Sequence, residues 1–219
     1  MRAVLYAMGK EVGPPFDGGQ ALPNSPRLEL RQVSKSLLVC VCGVGKVNAA
    51  LAAQYLIDHV RISELWNAGV AGCLTDLPAG TLVAVTACVQ HDIDTFGDPP
   101  GLVPVLDRVE LPCTFWEDTL GALTDAGLNA VPGIAASGDW FGRDLNRAAF
   151  LRDHFRALVC DMEAGAIAQV CARNRVPFHA LKVVSDHLFH PSQYEEYQTN
   201  LPAAVELLSQ GLAAAMYLS

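Results

Sequence analysis

No apolar run in this 219-residue chain approaches the roughly 18 residues a membrane-spanning helix needs. The first residues pass straight into Arg2-Ala3-Val4-Leu5-Tyr6 without the longer apolar stretch of a signal peptide, so a soluble, cytoplasmic protein with no membrane partner is expected. Positive charge is scarce: 15 Lys and Arg stand against 23 Asp and Glu, a formal net charge of −8, with no basic cluster. That balance argues against a nucleic-acid partner held through its phosphates and favours a small-molecule ligand. No Cys-x-x-Cys occurs among the seven cysteines, which gives a structural zinc site little support. The cysteines are odd in number and sit mostly among Val, Leu and Ala, so they read as small buried hydrophobes in a reducing compartment. Charged residues make up only 17% and hydrophobic ones 51%, which excludes disorder and supplies one substantial core; a single domain over 1–219 is expected.

Short β-branched apolar runs at 2–7, 37–42, 64–68, 81–89, 131–136 and 178–184 alternate with helical patterns at 46–59, 115–126, 145–156, 161–173 and 200–217. Alternation of this kind predicts an α/β protein: three layers, with helices on both faces of a mixed, mostly parallel central sheet. Glycine and proline mark loops at 13–19 and 97–101.

Two glycine- and acid-rich motifs carry little chemistry. Gly43-Val44-Gly45-Lys46 lacks both the glycine and the hydroxyl of a phosphate loop, so it reads as a tight strand-to-helix turn. In His91-Asp92-Ile93-Asp94 the period of a strand sends His91 to one face and both aspartates to the other, so the ligands do not converge on a metal.

The informative segments lie near the C-terminus. Cys160-Asp161-Met162-Glu163-Ala164-Gly165-Ala166-Ile167-Ala168 puts carboxylates at the start of an apolar helix, and Lys182-Val183-Val184-Ser185-Asp186 puts another at the end of a buried strand. In an open α/β sheet, strand ends of this kind face the ligand. A lone acid at either place is explained by capping or the helix dipole. Both segments resemble the nucleoside phosphorylase/nucleosidase superfamily, and within it most closely the 5′-methylthioadenosine/S-adenosylhomocysteine nucleosidases. The likeness recurs in order through Ala7-Met8-Gly9-Lys10-Glu11-Val12, Gly43 to Ala50, Asn67-Ala68-Gly69-Val70-Ala71-Gly72, His91 to Gly97 and Ser137-Gly138-Asp139-Trp140-Phe141.

The resemblance implies a nucleoside phosphorylase-like fold, a purine nucleoside as substrate, a homodimer, and neither metal nor organic cofactor. It makes Asp186 the general acid that protonates the purine N7, held by Ser185, and Glu11 the carboxylate that activates water. It assigns Glu163 to the ribose 2′- and 3′-hydroxyls, Met162 to the sugar face, Phe141 to stacking on the base and the Gly142 backbone to the base edge. Gly72 and Lys182 join the binding set, Tyr194 forms a wall at the 5′ end by rough alignment, and Phe96 reaches the partner subunit's site. Asp161 reads as the helix cap.

Three departures bear on activity. Pro14-Pro15 stops early the helix on which the family carries Glu11. Val70 replaces a hydroxyl residue, and Lys182 replaces an arginine and its bidentate fork, which weakens a phosphate site and favours hydrolysis. The expected activity is hydrolysis of the N-glycosidic bond of a 5′-modified adenosine. Another purine or futalosine-type hydrolase, a phosphate-dependent phosphorylase, and a nucleoside-binding protein without turnover stay open as alternatives.

Overall fold

A computed structural model of the protein describes residues 1–24, 28–142 and 144–217. The chain runs through β1 (Arg2–Tyr6), β2 (Gln20–Ala21), β3 (Glu29–Ser34), β4 (Leu37–Val41), α1 (Lys46–Tyr55), β5 (Glu64–Cys73), β6 (Leu82–Gln90), β7 (Leu111–Pro112), α2 (Trp116–Asp125), β8 (Ala130–Ser137), α3 (Leu145–Phe155), β9 (Ala157–Asp161), α4 (Ala164–Asn174), β10 (Phe178–His187) and α5 (Gln193–Ala215).

The sheet is mixed, as expected. β1 pairs in parallel with β4 and β5, β5 with β10, and β8 with β6 and β9; β2–β3–β4, β5–β9, β6–β7 and β6–β10 are antiparallel. Because β10 pairs with both β5 and β6, the strands β5, β9, β8, β6 and β10 close into a ring, and β1, β4, β3 and β2 extend from β5. β5 is the hinge of this arrangement: its first residues pair with β1, and Gly72 and Cys73 pair with β9.

Helices cover both faces. α1 and α4 bury small residues (Ala49, Ala52 and Ala53; Ala164, Ile167, Ala168 and Cys171) against one, while α2 and α5 bury Leu123, Ala204, Leu208 and Leu212 against the other. Each buried leucine contributes roughly 1.5–3 kcal/mol. α3 seals a third cluster with Ala148, Leu151 and Phe155. The seven cysteines are unpaired thiols, six of them buried.

Several elements differ from the sequence reading at the ends that build the site. β5, expected to stop at 68, continues to Cys73, and β10, expected to stop at 184, continues to His187. Gly69 and Gly72 interrupt the apolar pattern of β5 yet remain in the strand because neighbouring groups approach too closely for a side chain. β9 occupies part of what reads as the junction of two helices, and α4 begins at Ala164 rather than 161. α5 begins seven residues before 200 and runs through Pro202.

Candidate active site

The C-terminal ends of β5, β9 and β10, the start of α4 and the turn after β1 surround one cavity of about 350 Å³. Glu11, Glu163 and Asp186 all line it.

Glu11 closes a single 3-10 turn, Gly9–Glu11, which the chain leaves two residues before Pro14. The short turn does not spoil the aim of the side chain. Its Oε1 accepts from the Val70 backbone N–H (3.1 Å) and its Oε2 from that of Met8 (3.0 Å). At Val70 the backbone amide, rather than a side chain, thus serves the carboxylate. A Cβ on Gly69 would stand 3.1 Å from Glu11 Oε1, so glycine keeps this approach open. Burial raises the Glu11 pKa against the opposing pull of Lys182 and the two N–H donors.

Asp161 and Glu163 sit at the β9-to-α4 junction. Asp161 Oδ2 accepts from the Ala164 N–H (3.0 Å), which makes it a helix cap, and it also accepts from Ser137 Oγ through Oδ1. Its Oδ2 lies 2.6 Å from Lys182 Nζ. Lys182 is fully buried and lines no part of the cavity, so its place in a direct ligand-binding set is corrected to that of a counter-ion behind the walls. Burial opposes the lysine's charge, but Asp161, Glu163 and Glu11 outweigh it and its pKa is raised. Glu163 Oε1 accepts from the Gly45 N–H (2.8 Å). Gly45 has φ 101°, a conformation that suits glycine, so the turn expected to be only structural also orients Glu163. Burial, then Asp161, push the Glu163 pKa up to about 7, against Lys182 and the Gly45 amide.

Asp186 follows a register shift in β10 between Val184 and Asp186, an irregularity of the kind that re-aims a side chain. Ser185 Oγ donates to its Oδ1 (2.5 Å) and Gln193 Nε2 to its Oδ2 (2.9 Å). Burial raises its pKa, with both donors opposing. Gly72 lies opposite, where a Cβ would collide with Leu188 and stand 3.1 Å from Asp186 Oδ2. The Asn200 side-chain amide donates to the Ser185 carbonyl (2.8 Å) and ties α5 to the strand end.

Met162, Phe141 and Gly142 line the cavity beside Trp140. Phe141 meets Tyr197 edge-to-face at 5.9 Å. Tyr194 is 52% exposed and off the cavity wall; Tyr197, one helical turn on, takes the wall position and Tyr194 stacks on it at 6.3 Å. Phe96 is fully exposed and does not reach this chain's own cavity. Asp92 pairs with Lys46 at 2.5 Å. Gln193 and Tyr197 escaped the sequence reading, although their i, i+4 spacing places them on one face once the helix is extended back to 193.

Among the described residues, no lysine or arginine lines the cavity. The cavity brings three carboxyl groups between aromatic and apolar walls, and burial raises the pKa of each.

A family model described as the phosphorylase superfamily matches residues 2–216. The chain belongs to this superfamily. It is similar to the 5′-methylthioadenosine/S-adenosylhomocysteine nucleosidases of Geobacillus kaustophilus (40% identical over 152 residues) and Bacillus thuringiensis (35% over 152 residues). The matched stretch is 66% of this chain in both cases and spans 64% and 65% of the relatives' own lengths. Among solved structures, this superfamily member resembles the nucleosidase of Neisseria meningitidis in complex with methylthio-immucillin-A, with TM-score 0.89, 27% identity, and 98% and 97% of the two chains covered. It also resembles the Colwellia psychrerythraea enzyme in complex with adenine, with TM-score 0.84, 26% identity, and 99% and 94% covered.

Proposed function

We propose that this protein hydrolyses the N-glycosidic bond of a 5′-modified adenosine, such as methylthioadenosine or adenosylhomocysteine, and releases adenine. The observation that carries this reading is Asp186: a buried carboxyl, gripped by Ser185 and Gln193, on a cavity that Glu11 and Glu163 also line. In the reaction, water oxygen bonds to C1′ as the C1′–N9 bond breaks. Glu11 takes the water proton, and Asp186 delivers its proton to N7, so the purine leaves neutral. Positioned proton transfer of this kind contributes roughly 10²–10⁴ in rate. Glu163 accepts hydrogen bonds from the ribose hydroxyls, and the acidic walls stabilise the positive charge that develops on the sugar. Phe141 and Met162 pack on base and sugar, and Gly142 offers its backbone to the base edge.

Water rather than phosphate is the nucleophile. A phosphate would enter walls that carry carboxylates and, among the described residues, no cation, while Lys182 is committed to Asp161. The working protein is a cytoplasmic homodimer of one-domain chains with a purine nucleoside as its small-molecule partner. The fully exposed Phe96 is the aromatic that a second copy covers. A panel of purine nucleosides assayed for free base, with and without phosphate, tests the reading. Release of adenine from 5′-thio-substituted adenosines without phosphate supports it, and strict dependence on phosphate replaces it with phosphorolysis.

A further inference from the structure

Next to Asp186, where β10 ends and α5 begins, two histidines and a glutamate meet. His187 is the last residue of β10, His190 lies in the turn that follows, and Glu196 stands in the first turn of α5. His187 Nδ1 is 2.9 Å from Glu196 Oε2, His190 Nδ1 is 2.7 Å from Glu196 Oε1, and the ligating atoms of all three lie within 4.8 Å of one another. Among the described residues this is the one gathering of three or more His, Cys, Asp or Glu side chains that close.

The hydrogen bond on the other side of His187 gives the cluster its meaning. Nε2 lies 2.8 Å from the Leu77 carbonyl oxygen, which only accepts, so Nε2 carries the hydrogen. Nδ1 faces a carboxylate oxygen of Glu196 at 2.9 Å, and a divalent cation can take the place of the proton that would otherwise join them. A backbone carbonyl on the far nitrogen is also the usual device for fixing the tautomer of a metal-bound histidine. Glu196 is held in turn, with Ser192 Oγ donating to its Oε1 (3.1 Å) and the His187 N–H to its Oε2 (3.2 Å).

We propose that His187, His190 and Glu196 form a binding site for a zinc-like first-row divalent cation, with water in the remaining position. Two imidazoles and one carboxylate suit such an ion, whereas magnesium and calcium prefer all-oxygen sets. The site goes beyond the proposed hydrolysis and takes no part in its chemistry. Its effect is mechanical: the ion joins the end of β10 to the start of α5 across the segment that carries Gln193, the donor to Asp186.

The test uses the metal-stripped protein, titrated with zinc chloride by calorimetry and with cobalt chloride by visible absorption. His190, whose side chain is 53% exposed, can be changed without disturbing the fold. The expected result is one ion per chain, cobalt bands without thiolate charge transfer, and a melting temperature raised by about 5–10 °C when zinc exceeds its dissociation constant roughly a hundredfold. His190→Ala and Glu196→Gln each weaken binding at least ~10-fold. Equal binding by wild type and His190→Ala, a thiolate band that moves the ion to the cysteines, or no uptake by the wild type overturns the proposal. The last result leaves His187 as an imidazolium with two hydrogen bonds.

Discussion

Lys182 Nζ lies 2.6 Å from Asp161 Oδ2, with both side chains almost wholly out of solvent. The pair joins β10 to the last residue of β9, and its ammonium also feels Glu11 and Glu163. Asp161 is thus a cap and a counter-ion at once. Replacing Lys182 by Met strands a buried carboxylate, a change that typically costs about 3–5 kcal/mol. Urea unfolding of Lys182→Met is expected to show a loss of that size, and the double variant Lys182→Met/Asp161→Asn to recover part of it. A loss below about 1 kcal/mol in the single variant would mean that Asp161 is not left as an unpaired buried carboxylate.

Asp186→Asn keeps a side chain that Ser185 and Gln193 can hold but has no proton to deliver. Turnover is expected to fall at least ~10²-fold while the dissociation constant of a non-hydrolysable nucleoside stays within a few-fold. Near-normal kcat in this variant removes Asp186 from the acid's role. Gln193→Ala, which frees one carboxyl oxygen and removes a donor that holds the Asp186 pKa down, is expected to move the alkaline limb of the kcat profile to higher pH more than it changes KM.

Glu163 gives a pH signature in stability. Its folded pKa of about 7 lies above that of an unfolded glutamate, so the folded state holds the extra proton between the two values. The stability this provides is fully present below the unfolded pKa and lost as pH rises through about 7. Glu163→Gln mimics the protonated form at every pH. Its melting temperature is therefore expected to match the wild type near pH 4 and to exceed it at pH 8, even as ribose binding is lost. Parallel melting curves for the two proteins across this range would contradict the raised pKa.

The sequence exposed the parts of this site that lie in family motifs. Glu163 and Asp186 were legible through the resemblance of their segments, since a lone acid at an apolar helix start or after Val183-Val184 is also explained by capping. The aim of Glu11 was not, since the fixing groups are backbone amides of Met8 and Val70, and amides leave no mark on residue identity. Gln193 and Tyr197 were hidden because the first turns of α5 are mostly polar and exposed, with the apolar helical pattern emerging only further on. β9 was missed because five residues without polar alternation between two helices look like helix. The resemblance puts Lys182 among the ligand groups, and only the fold turns its ammonium away from the cavity to Asp161.

Phe96 tests the dimer. It is fully exposed on its own chain, so any part in catalysis has to be played on a partner. Phe96→Ala is expected to raise KM for adenosines with apolar 5′ groups more than for adenosine itself, with kcat little changed. Full activity in a species that sediments as a monomer at micromolar concentration would exclude a partner residue from the site.

The most direct test of the central claim is the fate of solvent oxygen. Methylthioadenosine is incubated with the protein in oxygen-18 water with phosphate present, and the sugar product is analysed by mass spectrometry. Attack by a water that Glu11 activates, with Asp186 as acid, predicts free adenine and unphosphorylated methylthioribose whose C1 oxygen comes from solvent when the sugar is reduced at once, before anomeric exchange. A phosphorylated sugar, or no release of adenine, would contradict the account.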